Sequence, residues 1–336
     1  MRALVTGGGG FLGQAIVRQL VARGDEVVCF SRGDYPELRR LGVQTLRGDV
    51  ADVVAVAAAV RGCDVVFHVA ARAGIWGSWD EFRSANIEGT ANVLTACHQH
   101  GVRRLVYTSS PSVVHAGTDL AGVDESAPYA SVHSDAYPAT KIVAERMVLS
   151  ASTAELATVA LRPHLIWGPG DTQLTARILD RARRGRLRLV GDGQALMDTT
   201  YITNAAEAHL LAADRLAPDA ACAGRPYFIS QGEPLPVAKM INRILDAAGL
   251  PPVTASVPPR VAYVAGAGAE LAWRLARRSD EPPITRFLAR QLSTAHWFDI
   301  SAARRDLGYG PRISLDEGMA QLKACLQSAG RSLPQP

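Results

Sequence analysis

The chain has 336 residues, 36 Lys and Arg against 32 Asp and Glu, a net charge of +4 and only 20% charged residues in all. That balance disfavours a nucleic-acid binder built on phosphate contacts, and 48% hydrophobic residues place the chain far from the disordered class. Five scattered cysteines, Cys29, Cys63, Cys97, Cys222 and Cys325, form no C-x-x-C pair, which argues for a reducing compartment and against a disulfide scaffold or cysteine zinc site.

Apolar strand-like runs alternate with helical ones. Arg2–Thr6 reads as a strand, Phe11–Ala22 as a helix stopped by Gly24, and Glu26–Phe30 as the next strand. Strand Val43–Leu46, helix Ala51–Val60, strand Asp64–His68, a long helix Trp79–His98 closed by Gly101, and strand Arg104–Tyr107 follow. Near-continuous apolar strands separated by helices predict a parallel sheet covered on both faces, a Rossmann-type doubly wound α/β fold. A Gly-, Ser- and Asp-rich stretch to about residue 136 predicts a functional loop, followed by helix Tyr137–Ser150 and strand Ala157–Leu161. Beyond these, Leu187–Val190 and Tyr227–Ile229 read as strands among short helices and Pro pairs at 251–252, 258–259 and 282–283. The expected organisation is a dinucleotide-binding domain over 1–165, with segment 200–230 returning to it, and a smaller substrate lobe over 166–336.

No leader-like apolar segment precedes the first strand, so a cytoplasmic protein is expected. The most membrane-like stretch, Val261 to Ala276, is short, contains Glu270 and runs into Arg277 and Arg278. This excludes a spanning helix and leaves membrane-surface association open.

Thr6-Gly7-Gly8-Gly9-Gly10-Phe11-Leu12-Gly13 lies between the first strand and the first helix. A pyrophosphate needs close approach to backbone N–H groups at a helix N-terminus, and glycine permits both the tight turn and that approach. The run fits G-x-G-x-x-G from Gly8 and G-x-x-G-x-x-G from Gly7, so the motif alone does not choose between dinucleotide folds. The second strand ends Cys29-Phe30-Ser31-Arg32, without the acid that would bind a ribose 2′-hydroxyl. A hydroxyl followed by a guanidinium suits a 2′-phosphate, so Ser31 and Arg32 predict NADP(H) over NAD(H). Asp34, slightly beyond, reads as a turn cap.

Tyr137 and Lys141 lie at i and i+4 on one helix face. A phenol with a reference pKa of about 10 becomes a useful acid-base catalyst near a cation, and Lys141 is expected to lower it. Upstream, Thr108-Ser109-Ser110 ends a central strand where α/β sheets bind ligands; strand register favours Ser110 over Ser109 as the hydroxyl that would hold a carbonyl. His98 and His100 point apart on their helix and make no metal site.

These motifs, together with Gly48-Asp49-Val50, His68-Val69-Ala70-Ala71, Asn86-Ile87-Glu88-Gly89-Thr90, Leu161-Arg162-Pro163 and Trp167-Gly168-Pro169-Gly170-Asp171, resemble the extended short-chain dehydrogenase/reductases over nearly the whole length. The resemblance implies Tyr137 as general acid, Lys141 on the nicotinamide ribose, and Ser110 orienting the carbonyl. It further implies a cofactor site made by Gly7, Gly10, Phe11, Leu12 and Gly13, with Asp49 and Val50 beside the adenine. Ala70 and Ala71 would line the cleft, and Pro163 would lie near the nicotinamide. Asn86 is expected to be structural. A non-catalytic NADP(H) sensor of this fold would typically lack the Tyr–Lys pair.

Pro283-Ile284-Thr285-Arg286-Phe287, His296-Trp297-Phe298-Asp299-Ile300 and Ala303-Arg304-Arg305-Asp306-Leu307-Gly308-Tyr309 resemble the 3β-hydroxysteroid dehydrogenase branch, whose substrates are bulky and apolar. Ala73-Gly74-Ile75-Trp76-Gly77-Ser78-Trp79-Asp80 and Leu161-Arg162-Pro163-His164-Leu165-Ile166-Trp167 are most similar to the bacterial 2-alkyl-3-oxoalkanoate reductases of long-chain olefin biosynthesis. That resemblance implies NADPH-dependent reduction of a 2-alkyl-3-keto fatty acid, the step before β-lactone formation. A hydroxysteroid or sterol dehydrogenase is the rival enzyme. The implied partners are an apolar ketoacid and other enzymes of that pathway, and a homo-oligomer is expected. Arg72, His164 and the arginines of 181–188 are candidates for the substrate carboxylate. Trp76, Trp79 and Trp167 would line an alkyl tunnel, with Val261–Ala276 as a greasy wall.

Overall fold

The computed structural model describes residues 1–74, 76–115, 117–130 and 135–331. Strand β1 (Arg2–Thr6) sends Ala3 and Val5 into one apolar core and Leu4 into another, the alternation of a strand buried on both faces. Helix α1 (Phe11–Ala22) buries Ile16, Val17 and Leu20 against the first core; α2 (Pro36–Arg40) follows β2 (Glu26–Ser31). After β3 (Gln44–Arg47), helix α3 (Val53–Val60) is started by Asp52, whose carboxylate accepts the N–H groups of Val54 and Ala55. It packs on the second core with Val93 and Leu94.

The long helix expected after β4 (Val65–His68) is interrupted. It runs as α4 (Trp79–Phe82), a π-helical turn over Arg83–Glu88, and α5 (Gly89–His100), which Gly101 ends in the left-handed region. The insertion coincides with buried Asn86, whose carbonyl accepts the Thr90 hydroxyl at 2.6 Å. Strand β5 (Arg104–Thr108) then leads into the expected loop, which contains strand β6 (Leu120–Val123). Helix α6 (Ala136–Ser150) and β7 (Ala157–Pro163) complete the pattern.

Beyond β8 (Ile166–Trp167), Asp171 opens α7 (Leu174–Arg183) by accepting the N–H groups of Gln173, Leu174 and Thr175. The elements that follow are β9 (Leu189–Val190), β10 (Leu196–Met197), β11 (Thr200–Tyr201), α8 (Ile202–Arg215) and β12 (Arg225–Ile229). Next come β13 (Leu235–Pro236), α9 (Val237–Ala247), β14 (Ser256–Val257) and α10 (Pro259–Leu275). The last elements are α11 (Arg286–Ser293), β15 (His296–Phe298) and α12 (Leu315–Arg331).

The seven-stranded sheet is parallel throughout, in the order β12-β7-β5-β4-β1-β2-β3. Strand β12 therefore returns from the C-terminal half to the sheet edge. A second sheet, β13-β10-β15-β6, pairs His296–Phe298 with Leu120–Val123 and ties the long loop to the C-terminal half. The carboxyl ends of β1, β4 and β5 lie side by side, with Thr6 opposite His68 and His68 opposite Tyr107, and so bring the glycine turn together with the loops that follow β4 and β5.

Candidate active site

The glycine turn has Gly7 at φ +68° and Gly10 N–H bonded to the Gly7 carbonyl at 2.9 Å. A Cβ on Gly13 would stand 2.1 Å from that carbonyl, so helix α1 can approach the turn only with glycine there. Beneath it, Ser31 Oγ accepts the Gly9 N–H at 3.0 Å. Ser31 thus buttresses the turn from a buried position, and Arg32 is the exposed cation at the rim, its Nη1 4.0 Å from Asp49 Oδ2. Asp34 pairs with Arg39.

The turn opens into a cleft of about 740 Å³ bordered by Gly7, Gly10, Phe11, Leu12 and Gly13. Ser31, Arg32, Asp49 and Val50 border one end, and Ala70, Ala71, Tyr137 and Lys141 the other. A narrow glycine-floored cleft at a helix N-terminus, with an exposed guanidinium at its end, fits a dinucleotide. Pro163 does not border this cleft; it lines the adjoining apolar cavity with Ser110 and Tyr137. Tyr35, absent from the sequence-based set, also borders the cleft, and its ring lies where a Cβ on Gly9 would stand. No residue spacing signals it.

Tyr137 opens α6 one turn before Lys141; Lys141 is buried, whereas Tyr137 is half-buried. Burial holds the Tyr137 phenol above its ordinary value, opposed by a hydrogen bond with the Ser110 side chain. Burial pulls Lys141 down to about 7, opposed by the charge of Glu145. The expected lowering of Tyr137 by Lys141 is not seen. The ammonium instead donates to the Thr108 carbonyl at 2.6 Å and lies 4.2 Å from the Tyr107 ring centroid. Ser110 Oγ also accepts the Ser112 N–H at 3.2 Å, which fixes it beside Tyr137, whereas Ser109 Oγ is buried without a partner.

A buried chain of hydrogen bonds links the glycine turn to the start of α6. Thr6 Oγ1 meets His68 Nδ1 at 2.8 Å, and His68 Nε2 meets Thr90 Oγ1 at 3.0 Å. Asn86 accepts the Arg72 N–H at 2.7 Å and donates to Thr140 Oγ1 at 3.0 Å. Burial, then the nearby Lys141 charge, pulls His68 down to about 3, so this chain is neutral. Asn86 is structural in this sense: it joins the loop at Arg72 to the helix that carries Tyr137. Behind Lys141, Glu145 forms a fully buried pair with Arg162 (2.6 and 3.0 Å) and accepts the Tyr129 hydroxyl at 2.7 Å.

Two further cavities meet at Tyr137. One, about 380 Å³, is walled by Ile178, Met240, Ile241, Ile244, Leu292 and Phe298. The other, about 580 Å³, lies among Arg72, Trp76, Trp79, Trp273 and Arg274. Trp76 and Trp79 therefore face a cavity, but Trp167 does not: it has no exposed surface, packs edge-on against Tyr201, and donates to Thr199 Oγ1 at 3.1 Å. Ile75, in the same motif, lies outside the described residues. The greasy-wall expectation for Val261–Ala276 holds only in part: α10 lends Glu270, Trp273 and Arg274 to the tryptophan cleft, but none of it borders the apolar cavity, and Val261, Val264, Leu271 and Leu275 turn outward. The apolar wall comes instead from α7, α9 and α11, with the i, i+3, i+4, i+7 pattern Val237, Met240, Ile241, Ile244 as its sequence signal.

Among the carboxylate candidates, His164 is buried edge-on against His296 (4.9 Å) and Phe298 (5.2 Å) and held far below its ordinary value by burial, so it is uncharged. Arg181 and Arg188 border the apolar cavity, donating to the carbonyls of Pro283 and of Gly185 and Leu187. Arg72 borders both the dinucleotide cleft and the tryptophan cleft. Among the described residues no group of three or more His, Cys, Asp and Glu could hold a metal, and no helix is long and apolar enough to cross a membrane.

Residues 4–257 match the 3-beta hydroxysteroid dehydrogenase/isomerase family. A 2-alkyl-3-oxoalkanoate reductase of Stenotrophomonas maltophilia is 56% identical over 327 residues, covering 96% of this chain and 99% of that protein. A 2-alkyl-3-oxoalkanoate reductase of Shewanella oneidensis is 51% identical, covering 96% and 86%. A 3-beta-hydroxysteroid dehydrogenase of Mycolicibacterium neoaurum is 36% identical, covering 95% and 90%. Among solved structures, MoeE5 in complex with UDP-glucose and NAD superposes with a TM-score of 0.75 at 27% identity, covering 98% of this chain and 99% of that one.

Proposed function

The chain belongs to the 3-beta hydroxysteroid dehydrogenase/isomerase family, and from that premise we propose that it reduces the 3-keto group of a long-chain 2-alkyl-3-oxoalkanoic acid to the 3-hydroxy acid with NADPH. It is an oxidoreductase of the nicotinamide-dinucleotide type. The observation that carries the substrate reading is the hydrogen-bonded, half-buried Ser110–Tyr137 pair at the mouth of an apolar cavity, in a chain over half identical to proteins named for this reaction.

The glycine turn, Tyr137 and Lys141 would hold a nicotinamide dinucleotide, which when bound would supply the hydride. Ser110 and Tyr137 hold the ketone oxygen between them. As the carbon–oxygen π pair moves onto oxygen, Tyr137 gives that oxygen its proton. Ser110 stabilises the phenolate left behind, and Lys141, released from Thr108, would hold the ribose and add its charge. Pro163 closes the apolar side. Arg32 supports NADPH through a charge-assisted fork to the 2′-phosphate, and no carboxylate ends β2 to favour NADH.

Residues 1–165 with 200–230 would form the cofactor domain and the rest of 166–336 mainly the substrate lobe; β12 on the sheet edge and the cavity walls from α7, α9 and α11 support that division. The outward stripe Val261, Val264, Leu271 and Leu275, flanked by Arg260 and Arg274, supports a cytoplasmic enzyme that associates with anionic membrane surfaces. Family resemblance supports self-association and contact with acyl-transfer and lactone-forming enzymes. The test is NADPH oxidation with a racemic 2-alkyl-3-ketoacid against a 3-ketosteroid. Turnover of the ketoacid is expected, and turnover of the steroid alone overturns the reading.

A further inference from the structure

Tyr137 borders three cavities at once: the dinucleotide cleft, the apolar cavity and the tryptophan cleft. Phe287 stands between the last two, bordering both, and Arg72 stands between the first and the last. A substrate held at Tyr137 by a carbonyl oxygen therefore has two separate directions for its remaining groups, with a cation beside one of them.

Arg72 is fixed there. Its backbone N–H and carbonyl are both held by the Asn86 side chain, at 2.7 and 3.2 Å. Its guanidinium lies 5.9 Å from the centre of the Phe82 ring, on which Tyr137 also packs at 6.4 Å. Phe82 thus sets both the cation and the phenol around one point. The only carboxylate that pairs with Arg72 among the described residues is Glu81, at 3.5 Å from Nη2, and Nε is buried without a partner. Of the other cations near the cavities, Arg177 pairs with Glu281, Arg278 with Asp280, and Arg274 lies 5.7 Å from the Trp76 ring centre, while Arg277 borders the tryptophan cleft but not the dinucleotide cleft.

We propose that this is a forked substrate site, in which Arg72 binds a carboxylate next to the reacting carbonyl, one alkyl chain enters the apolar cavity, and the second lies along Trp76, Trp79 and Trp273. This assignment rests on the ketoacid reading. A 3-ketoacid carries its carboxyl carbon two bonds, or about 2.5 Å, from the ketone carbon, so a carboxylate anchor must stand within a side chain's reach of Tyr137. A guanidinium offers two parallel donors to a carboxylate, and an unpartnered buried N–H makes that bond more favourable than in water. The apolar cavity offers the aliphatic side chains of Ile178, Met240, Ile241, Ile244 and Leu292, whereas the tryptophan cleft offers indole faces and cationic edges.

The experiment compares a 2-alkyl-3-ketoacid with its methyl ester, in wild-type protein and in Arg72→Gln and Arg72→Lys, with NADPH affinity measured separately. Arg72→Gln is expected to cut the acid-to-ester ratio of kcat/KM by about 10- to 100-fold, mainly through KM, and Arg72→Lys to restore part of it. An unmoved ratio overturns the role of Arg72. For the fork, Ile241→Trp is expected to penalise lengthening of one chain at least 10-fold more than lengthening of the other; equal penalties overturn it. Wild-type protein that turns over neither acid nor ester, but reduces a 3-ketosteroid, instead overturns the ketoacid reading beneath both.

Discussion

Replacing Lys141 with Met should abolish reduction and stabilise the cofactor-free protein at low pH. Burial lowers the ammonium from 10.5 to about 7. At about 1.4 kcal/mol per pKa unit, keeping Lys141 charged inside the fold costs roughly 5 kcal/mol below pH 7. Methionine removes that cost, together with about 1 kcal/mol from the hydrogen bond to Thr108 and a similar amount from the contact with Tyr107, leaving a net gain of about 3 kcal/mol at pH 6. Between the folded and unfolded pKa values the unfolded chain binds the extra proton, so wild-type stability rises with pH through this group and the variant's does not. The gap should therefore shrink by about 1.4 kcal/mol per pH unit from about pH 7.5 to 9.5. Urea unfolding of both proteins without dinucleotide at pH 6, 7.5 and 9 measures it. Parallel pH profiles, or a variant less stable than wild type at pH 6, would refute the reasoning.

Arg32→Ala should reduce the preference for NADPH over NADH about 10- to 100-fold in dissociation constants measured by calorimetry; an undiminished preference would remove Arg32 from the 2′-phosphate site. Glu145→Leu leaves the buried Arg162 charge uncompensated and should cost about 3–5 kcal/mol in chemical denaturation, with a loss below about 1 kcal/mol counting against a tightly coupled pair. Leu271→Asp combined with Leu275→Asp, on the exposed face of α10, should abolish flotation with anionic vesicles while leaving turnover of a short-chain ketoacid in place; wild type that does not float contradicts membrane association.

What was legible in the sequence was local or periodic. Alternating buried strands, the glycine turn and the i, i+4 pair Tyr137 and Lys141 fall where their patterns put them, because each depends on residues close in the chain. Strand β6 escaped notice because Leu120–Val123 is partly exposed and its partner lies at His296–Phe298. The π-helical turn at Arg83–Glu88 depends on Asn86 reaching Arg72 and Thr140, contacts that helical periodicity does not encode. Apolar content misled in α10 and at Trp167. Hydrophobic residues in a helix do not say which face is covered, and a tryptophan beside a Gly- and Pro-rich loop can as well complete a core. Lys141 shows the same limit for charge: four-residue spacing puts it on the face of Tyr137, but the nearest acceptor, the Thr108 carbonyl, decides where its ammonium goes.

The central claim is hydride delivery to the ketone carbon with a proton from Tyr137. Its most direct test is a single mass measurement on the product formed from a 2-alkyl-3-ketoacid and NADPH deuterated at the transferred C4 position, by wild type and by Tyr137→Phe. One deuterium at C3 of the 2-alkyl-3-hydroxy acid is expected from wild type, with product from Tyr137→Phe reduced by about 10²- to 10⁴-fold. Unlabelled product, or labelled product formed equally well without the phenol, would contradict the account.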